Sequence, residues 1–278
     1  MTNSLRFSLA ALLLAAIPAT ARADDGDGDD VAPISGAPDG LVAVSRGVQL
    51  PGGMLSARVM LGVNLSKDLV GKPISLVPDI SYGISDRLQV SLVHSGLMRW
   101  QSRPGLGLCL TGKSNGCPQV YDNVGVDVMY GLVFGKDLHL SVHGGLYLNS
   151  FDPLTTMVAV GAAGKAHFGA RLALAFDPQL GIALSDRDVN DDGLALPLEL
   201  QYQLNAASSL KVLSGVTGSL SAFGDTLEVP LGVGLSHNLS EHLDLAARFS
   251  FDNLLGHHAT GVGAADARSL AVLLAIRA

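Results

Sequence analysis

Three short stretches hold residues whose types and spacing permit chemistry. In "HLSVH" a histidine, a serine and a second histidine alternate as His139-x-Ser141-x-His143. On an extended strand, residues two apart project from one face, so an imidazole there can reach a hydroxyl and activate it as a nucleophile. In "DVNDDGLALPLE", Asp188 to Glu199, every fixed position of the calcium-loop expression D-x-[DN]-x-[DN]-G-x5-E is filled. Hard carboxylate and carbonyl oxygens would surround the ion, and Gly193 would allow the sharp turn. Strand-like alternation flanks this loop where an EF-hand has helices, and Pro197 interrupts the ligand span. The expectation is therefore a solvated acidic loop with, at most, a weak calcium site at Asp186, Asp188, Asn190 and Asp192. In "LLGHHATG" the neighbouring His257 and His258 are poorly placed to chelate one metal and read as exposed loop. No phosphate-cradling glycine loop, catalytic carboxylate pair or four-ligand zinc pattern appears. No cofactor is expected beyond that weakly bound calcium.

The elements that carry these residues are strands. In 54–65, Leu55, Ala57, Val59, Leu61, Val63 and Leu65 share one face, and Ser56, Arg58, Met60, Gly62 and Asn64 share the other. In 138–149, the apolar Leu138, Leu140, Val142, Leu146 and Leu148 oppose His139, Ser141, His143, Tyr147 and Asn149. The same alternation yields runs at 54–65, 74–84, 88–95, 121–133, 138–149, 154–162, 167–185, 194–204, 209–217, 226–236, 243–252 and 268–277. The run 167–185 is read as one strand kinked at Asp177-Pro178, and the count is then twelve, within a range of ten to fourteen.

Composition separates the readings of such a chain. Charged residues are 15% and hydrophobic residues 48%, with 33 glycines, where soluble domains carry about 25% charged residues. After the N-terminus no run of 18 apolar residues appears, so a transmembrane helix is not expected. The net charge of −7 argues against nucleic acid as a partner. Met1 to Ala23 has one early cation, Arg6, an apolar stretch from Phe7 to Ile17 and a small-x-small site at Ala21-Arg22-Ala23. This is the pattern of a signal peptide cleaved after Ala23. In an exported chain the close pair Cys109 and Cys117 is most simply a loop-stapling disulfide.

The second face of the strands decides the architecture. It collects Arg58, Asp79, Asp127, His139, His143, Arg171, Glu199, Glu228, Asp244 and Arg248. In a soluble sheet the apolar face needs a partner layer, and the chain offers neither a helix nor a second sheet for it. In a closed transmembrane barrel the apolar face meets lipid and the charged face lines a lumen. The repeated units "YGISDRLQVSLV", "YGLVFGKDLHLSV" and "GLSHNLSEHLDLAA" resemble the hairpins of Gram-negative outer-membrane β-barrel proteins over about residues 54–277. The resemblance implies an all-β, antiparallel, up-and-down transmembrane barrel with both termini periplasmic. It implies short periplasmic turns at 85–87, 134–137, 163–166, 205–208 and 237–242, with Tyr82, Tyr130 and Tyr202 as an aromatic girdle. It also implies an outer-membrane location, with lipid and the barrel-assembly machinery as partners. Residues 24–53, opening on the acidic "DDGDGDD", form a separate segment that is disordered or a partial plug.

The function these features imply is a passive channel or small-solute transporter for an unidentified solute. A sealed structural or adhesive barrel is the alternative. The outer-membrane phospholipase family uses a His-x-Ser pair of the same spacing, so a lipid hydrolase using His139 and Ser141 is a third reading. The polar face on which this pair falls favours lumen lining.

Overall fold

The structure is a computed structural model that describes residues 43–66, 72–95, 107–117, 119–188, 190–258 and 263–278. The signal peptide expected over 1–23 and the acidic run at 24–30 lie outside the described residues. One antiparallel sheet holds all the strand segments: β1 (Leu55–Asn64), β2 (Ile74–Ser85), β3 (Leu88–Val93), β4 (Leu108–Cys109), β5 (Val124–Phe134), β6 (Leu138–Phe151), β7 (Leu154–His167), β8 (Leu172–Phe176), β9 (Gln179–Ala183), β10 (Gly193–Gln203), β11 (Ser208–Ser219), β12 (Leu231–Asn238), β13 (Leu243–Phe251) and β14 (Arg268–Arg277). Two of these segments are one strand, because β8 and β9 both pair with β10 on one side and β7 on the other. The break between them is Asp177-Pro178, where proline has no N–H to give the ladder. The two-residue β4 extends β2 beyond the end of β3, so twelve strands form the wall. Pairing of β1 with both β14 and β2 closes the sheet and leaves no free edge.

Both ends of the wall match the alternation of the sequence, with two shifts. The short turns fall at 86–87, 135–137, 168–171, 204–207 and 239–242, on the end where Ser56 faces Arg277. The turn expected at 163–166 lies instead at 168–171. Gly164 and Lys165 stay in the ladder opposite Leu140 and His139, and the Phe176 ring lies over Gly164, covering the space its missing side chain leaves. The strand expected from 226 begins only at Leu231, because Phe223–Thr226 folds into one helical turn.

The outer surface is apolar along the length of the strands. Val59, Leu61, Val126, Val128, Val142, Leu146, Leu200, Val233, Leu235 and Leu274 are all exposed, a surface that only lipid covers favourably. Tyr82, Tyr130 and Tyr202 are exposed near the short-turn end, joined there by Phe134 and Phe168. At the opposite end Tyr121 and Phe151 stack at 5.3 Å, and Phe249 and Phe251 meet edge-on at 5.2 Å. Aromatic rings therefore mark both margins of the apolar belt, as interfacial girdles do. The buried interior is the polar face: Asp127, Ser209, Gln203 and Ser269 are all 0% exposed.

Cys109 and Cys117 form a disulfide. It ties β4 to a single 3-10 turn at Lys113–Asn115 within the long connection between β3 and β5. In the chain-entropy model a loop this short gains at most ~3 kcal/mol from the bridge, and that gain is confined to the loop. Reduction is expected to leave the barrel folded, with an unchanged difference in gel mobility between unboiled and boiled samples. Both thiols should alkylate only after reduction.

Candidate functional site

The lumen is built from residues that alternate inward along each strand. On β6 these are His139, Ser141, His143 and Tyr147. His143 sits between two carboxylates: Nδ1 is 3.1 Å from Asp127 on β5, and Nε2 is 2.8 Å from Asp177 at the β8–β9 break. The Tyr147 hydroxyl donates to Asp127 at 3.0 Å, and the Gln179 amide donates to Asp177 at 2.7 Å. Glycines make the room. A Cβ at Gly161 would collide with the His143 ring, and one at Gly125 with the Tyr147 ring. Asp177 faces inward in line with Ala175 and Gln179, because the two-residue alternation runs through the proline break unchanged. All three acidic and basic members of this network are at most 1% exposed at their side chains.

A second component comes from the segment before β1. Residues 43–52 touch wall side chains on widely separated strands. The Val44 N–H donates to Gln203 Oε1 at 3.2 Å, and the His167 ring lies 2.9 Å from the Val44 carbonyl. Lys165 Nζ donates to the carbonyls of Ala43 and Arg46 at 2.7 and 3.0 Å. Arg46 pairs with Asp244 of β13 at 2.8 Å. Gln49 accepts from Ser141 at 3.3 Å, the Leu50 N–H donates to Gln89 of β3, and the Gly52 N–H reaches Asp86 in the first short turn. The segment thus makes contacts with β10, β7, β13, β6 and β3 in turn.

Beside it lies a cavity of about 310 Å³. Its lining includes Gly47 and Val48 of the segment, the cations Arg58, Lys165, Lys211 and Arg248, and a single carboxylate, Glu199. Lys211 pairs with Glu199 at 2.9 Å, and Arg58 pairs with Asp79 of the neighbouring strand. The Arg248 guanidinium lies 2.9 Å from the Met60 sulfur. Arg277 shares Asp244 with Arg46 at 2.8 Å. A side chain that deep in a low-dielectric wall interacts strongly with any charge that enters.

Most residues expected in the lumen are there. Arg58, Asp79, Asp127, His139, His143, Glu199, Asp244 and Arg248 all face inward. Arg171 does not. It is exposed in the short turn between β7 and β8, because the strand expected to run unbroken from 167 starts only at Leu172. Glu228 lies outside the continuous part of β12 but keeps its register, bridged to Thr217 of β11, and with Thr217 and Gln179 it lines a cavity toward the long-loop end. Lys165, Lys211, Asp177 and Tyr147 were not among the expected site residues. The turn expected at 163–166 hides Lys165, and the kink expected at Asp177-Pro178 says nothing of the Asp177 side chain. The period-2 pattern of β11 already placed Lys211 on the polar face, and that of β6 placed Tyr147 there.

The acidic loop does not gather its oxygens. Asp186 and Asp188 are exposed, the Asn190 amide donates to the carbonyls of Thr156 and Ser185, and Asp192 is engaged by the Ala183 N–H and by Arg187. Among the described residues no three carboxylate, imidazole or thiol side chains come together as a metal site.

No protein-family model matches the chain, and no curated protein is similar to it in sequence. Solved structures are similar in fold. The KdgM porin superposes with a TM-score of 0.52 at 12% identity, over 80% of this chain and 98% of its own. The NanC porin gives 0.54 at 9% identity, over 79% and 98%. The COG4313 outer membrane channel from Pseudomonas putida F1 gives 0.54 at 14% identity, over 83% and 97%. The chain therefore shares the closed barrel fold of outer-membrane porins and channels.

Proposed function

We propose that the chain is exported under the signal of residues 1–23, inserts in the outer membrane and serves there as a passive channel. One observation carries this reading: a charge-lined cavity lies inside a wall whose outer surface is apolar throughout. The lining of this cavity is unevenly basic, with Arg58, Lys165, Lys211 and Arg248 against Glu199. The channel-type structures that share the fold support the same reading. Reconstituted in liposomes, the protein should let small ions equilibrate, read as loss of an imposed chloride gradient. A gradient that persists as long as in protein-free liposomes counts against it.

A sealed barrel is the second reading, and the segment 43–52 together with the His143 network favours it, since both fill the lumen. The hydrolase reading needs His139 to take the Ser141 proton, and it is disfavoured because the Ser141 hydroxyl donates to Gln49 instead. An ester or phospholipid assay on purified protein is expected to give no turnover that Ser141→Ala removes.

A further inference from the structure

The segment 43–52 does not lie along one side of the lumen but crosses it, and a cavity lies on each side of it. The cavity of about 310 Å³ is lined from β10 to β14, by Glu199, Lys211, Arg248 and Leu273 among others. A second cavity, of about 170 Å³, is lined from β2 to β5, by Ser81, Gln89, Val93 and Met129 among others. Strands β1 and β7 contribute to both, and they stand on opposite sides of the twelve-strand wall. Among the described residues, Val48 of the segment and Arg58 of β1 border both cavities. On β7 one cavity takes Lys165 and the other Ala163, which are successive inward positions. The two cavities therefore lie side by side, at one depth in the barrel.

We propose that the segment splits the lumen into two parallel paths, one for small anions and one for small uncharged hydrophilic solutes. The proposal deepens the channel reading and rests on it. The two linings differ in chemistry. The larger cavity is unevenly basic, whereas the acids of the smaller one are already held. Asp79 is paired with Arg58, and Asp177 meets the His143 ring and the Gln179 amide. What remains there is Ser56, Ser81 and Gln89 beside Leu50, Val93 and Met129. An ion entering that side leaves water without meeting an unpaired counter-charge, which is costly. A small polyol carries no charge to desolvate, and its hydroxyls can exchange hydrogen bonds with the serines as it passes.

The test uses a thiol placed in each path. The chain has two cysteines, and they are joined to each other, so an added cysteine is the one thiol open to reagent. Ala246 faces the larger cavity and Ser81 the smaller. Ala246→Cys and Ser81→Cys are small changes, and the bulky group, an uncharged methanethiosulfonate, is added after folding and reconstitution. Chloride conductance and liposome swelling in erythritol are then read on the same preparations. Modification at position 246 should lower chloride conductance about twofold or more while swelling persists. Modification at position 81 should slow swelling about twofold or more while most chloride conductance persists. The doubly modified protein should lose both. A parent that conducts, but loses both readouts through modification at one position, has a single path, and the proposal is overturned while the channel reading stands. Modification at position 81 that changes neither readout also overturns it alone. A parent without conductance or swelling overturns the channel reading, and the two paths with it.

Discussion

His143→Ala is expected to destabilise the barrel by about 3–5 kcal/mol, the usual cost of breaking a buried ionic contact from one side. The imidazole is the one group between Asp127 and Asp177, and all three side chains are shut off from solvent. Removing it leaves two carboxylates facing each other across the vacated space, without water to solvate them. The network also links β5, β6 and the β8–β9 break, so the loss is felt across three neighbouring parts of the wall. Urea unfolding of the folded barrel, followed by gel mobility, measures the effect. Ser141→Ala is the control from the same face, since it removes one 3.3 Å hydrogen bond to Gln49 and should cost about 1 kcal/mol or less. Equal stability of the two variants would show that His143 is not the link described.

The second large effect concerns the segment before β1. Replacing residues 43–50 by a Gly-Ser linker of the same length keeps the chain connected, removes the side-chain contacts of Arg46 with Asp244 and of Gln49 with Ser141, and frees the backbone from the fixed course that meets Gln203, Lys165 and Gln89. If the segment narrows the path, single-channel conductance should rise about twofold or more, because current through a narrow pore is set by its tightest section. Asp244 keeps Arg277 as a partner in this variant, so the wall need not rearrange. Unchanged conductance would place the constriction elsewhere, with the His143 network as the next candidate.

The sequence showed the wall more clearly than its contents, and the reason is physical. A strand with lipid on one side and a lumen on the other imposes strict alternation, so Arg58, Asp127, His143 and Arg248 were assigned to the correct face by counting alone. Turns obey a weaker rule. Gly164-Lys165 looked like a turn because glycine and lysine are common there, and only the cross-strand cover by Phe176 shows why they belong to β7. That one displacement put Arg171 inside when it lies outside, and it hid Lys165. The contacts of residues 43–52 left no trace in the pattern, since the segment has no strand period and its partners are more than 100 positions away in several cases. Likewise the calcium-loop expression records residue types but not their engagement: Asp192 accepts from the Ala183 N–H of β9, and the Asn190 amide donates to the Thr156 carbonyl of β7.

Selectivity in a planar bilayer tests the channel account most directly. The cavity wall sets Arg58, Lys165, Lys211 and Arg248 against Glu199, so the reversal potential in a KCl gradient should have the sign of chloride preference. Arg248→Gln should move it toward zero, because a charge inside a narrow low-dielectric wall is weakly screened. Arg171→Gln, in an exposed turn, should leave it where it was. No conductance, a preference for potassium, or an equal shift from Arg171→Gln and Arg248→Gln would contradict the account.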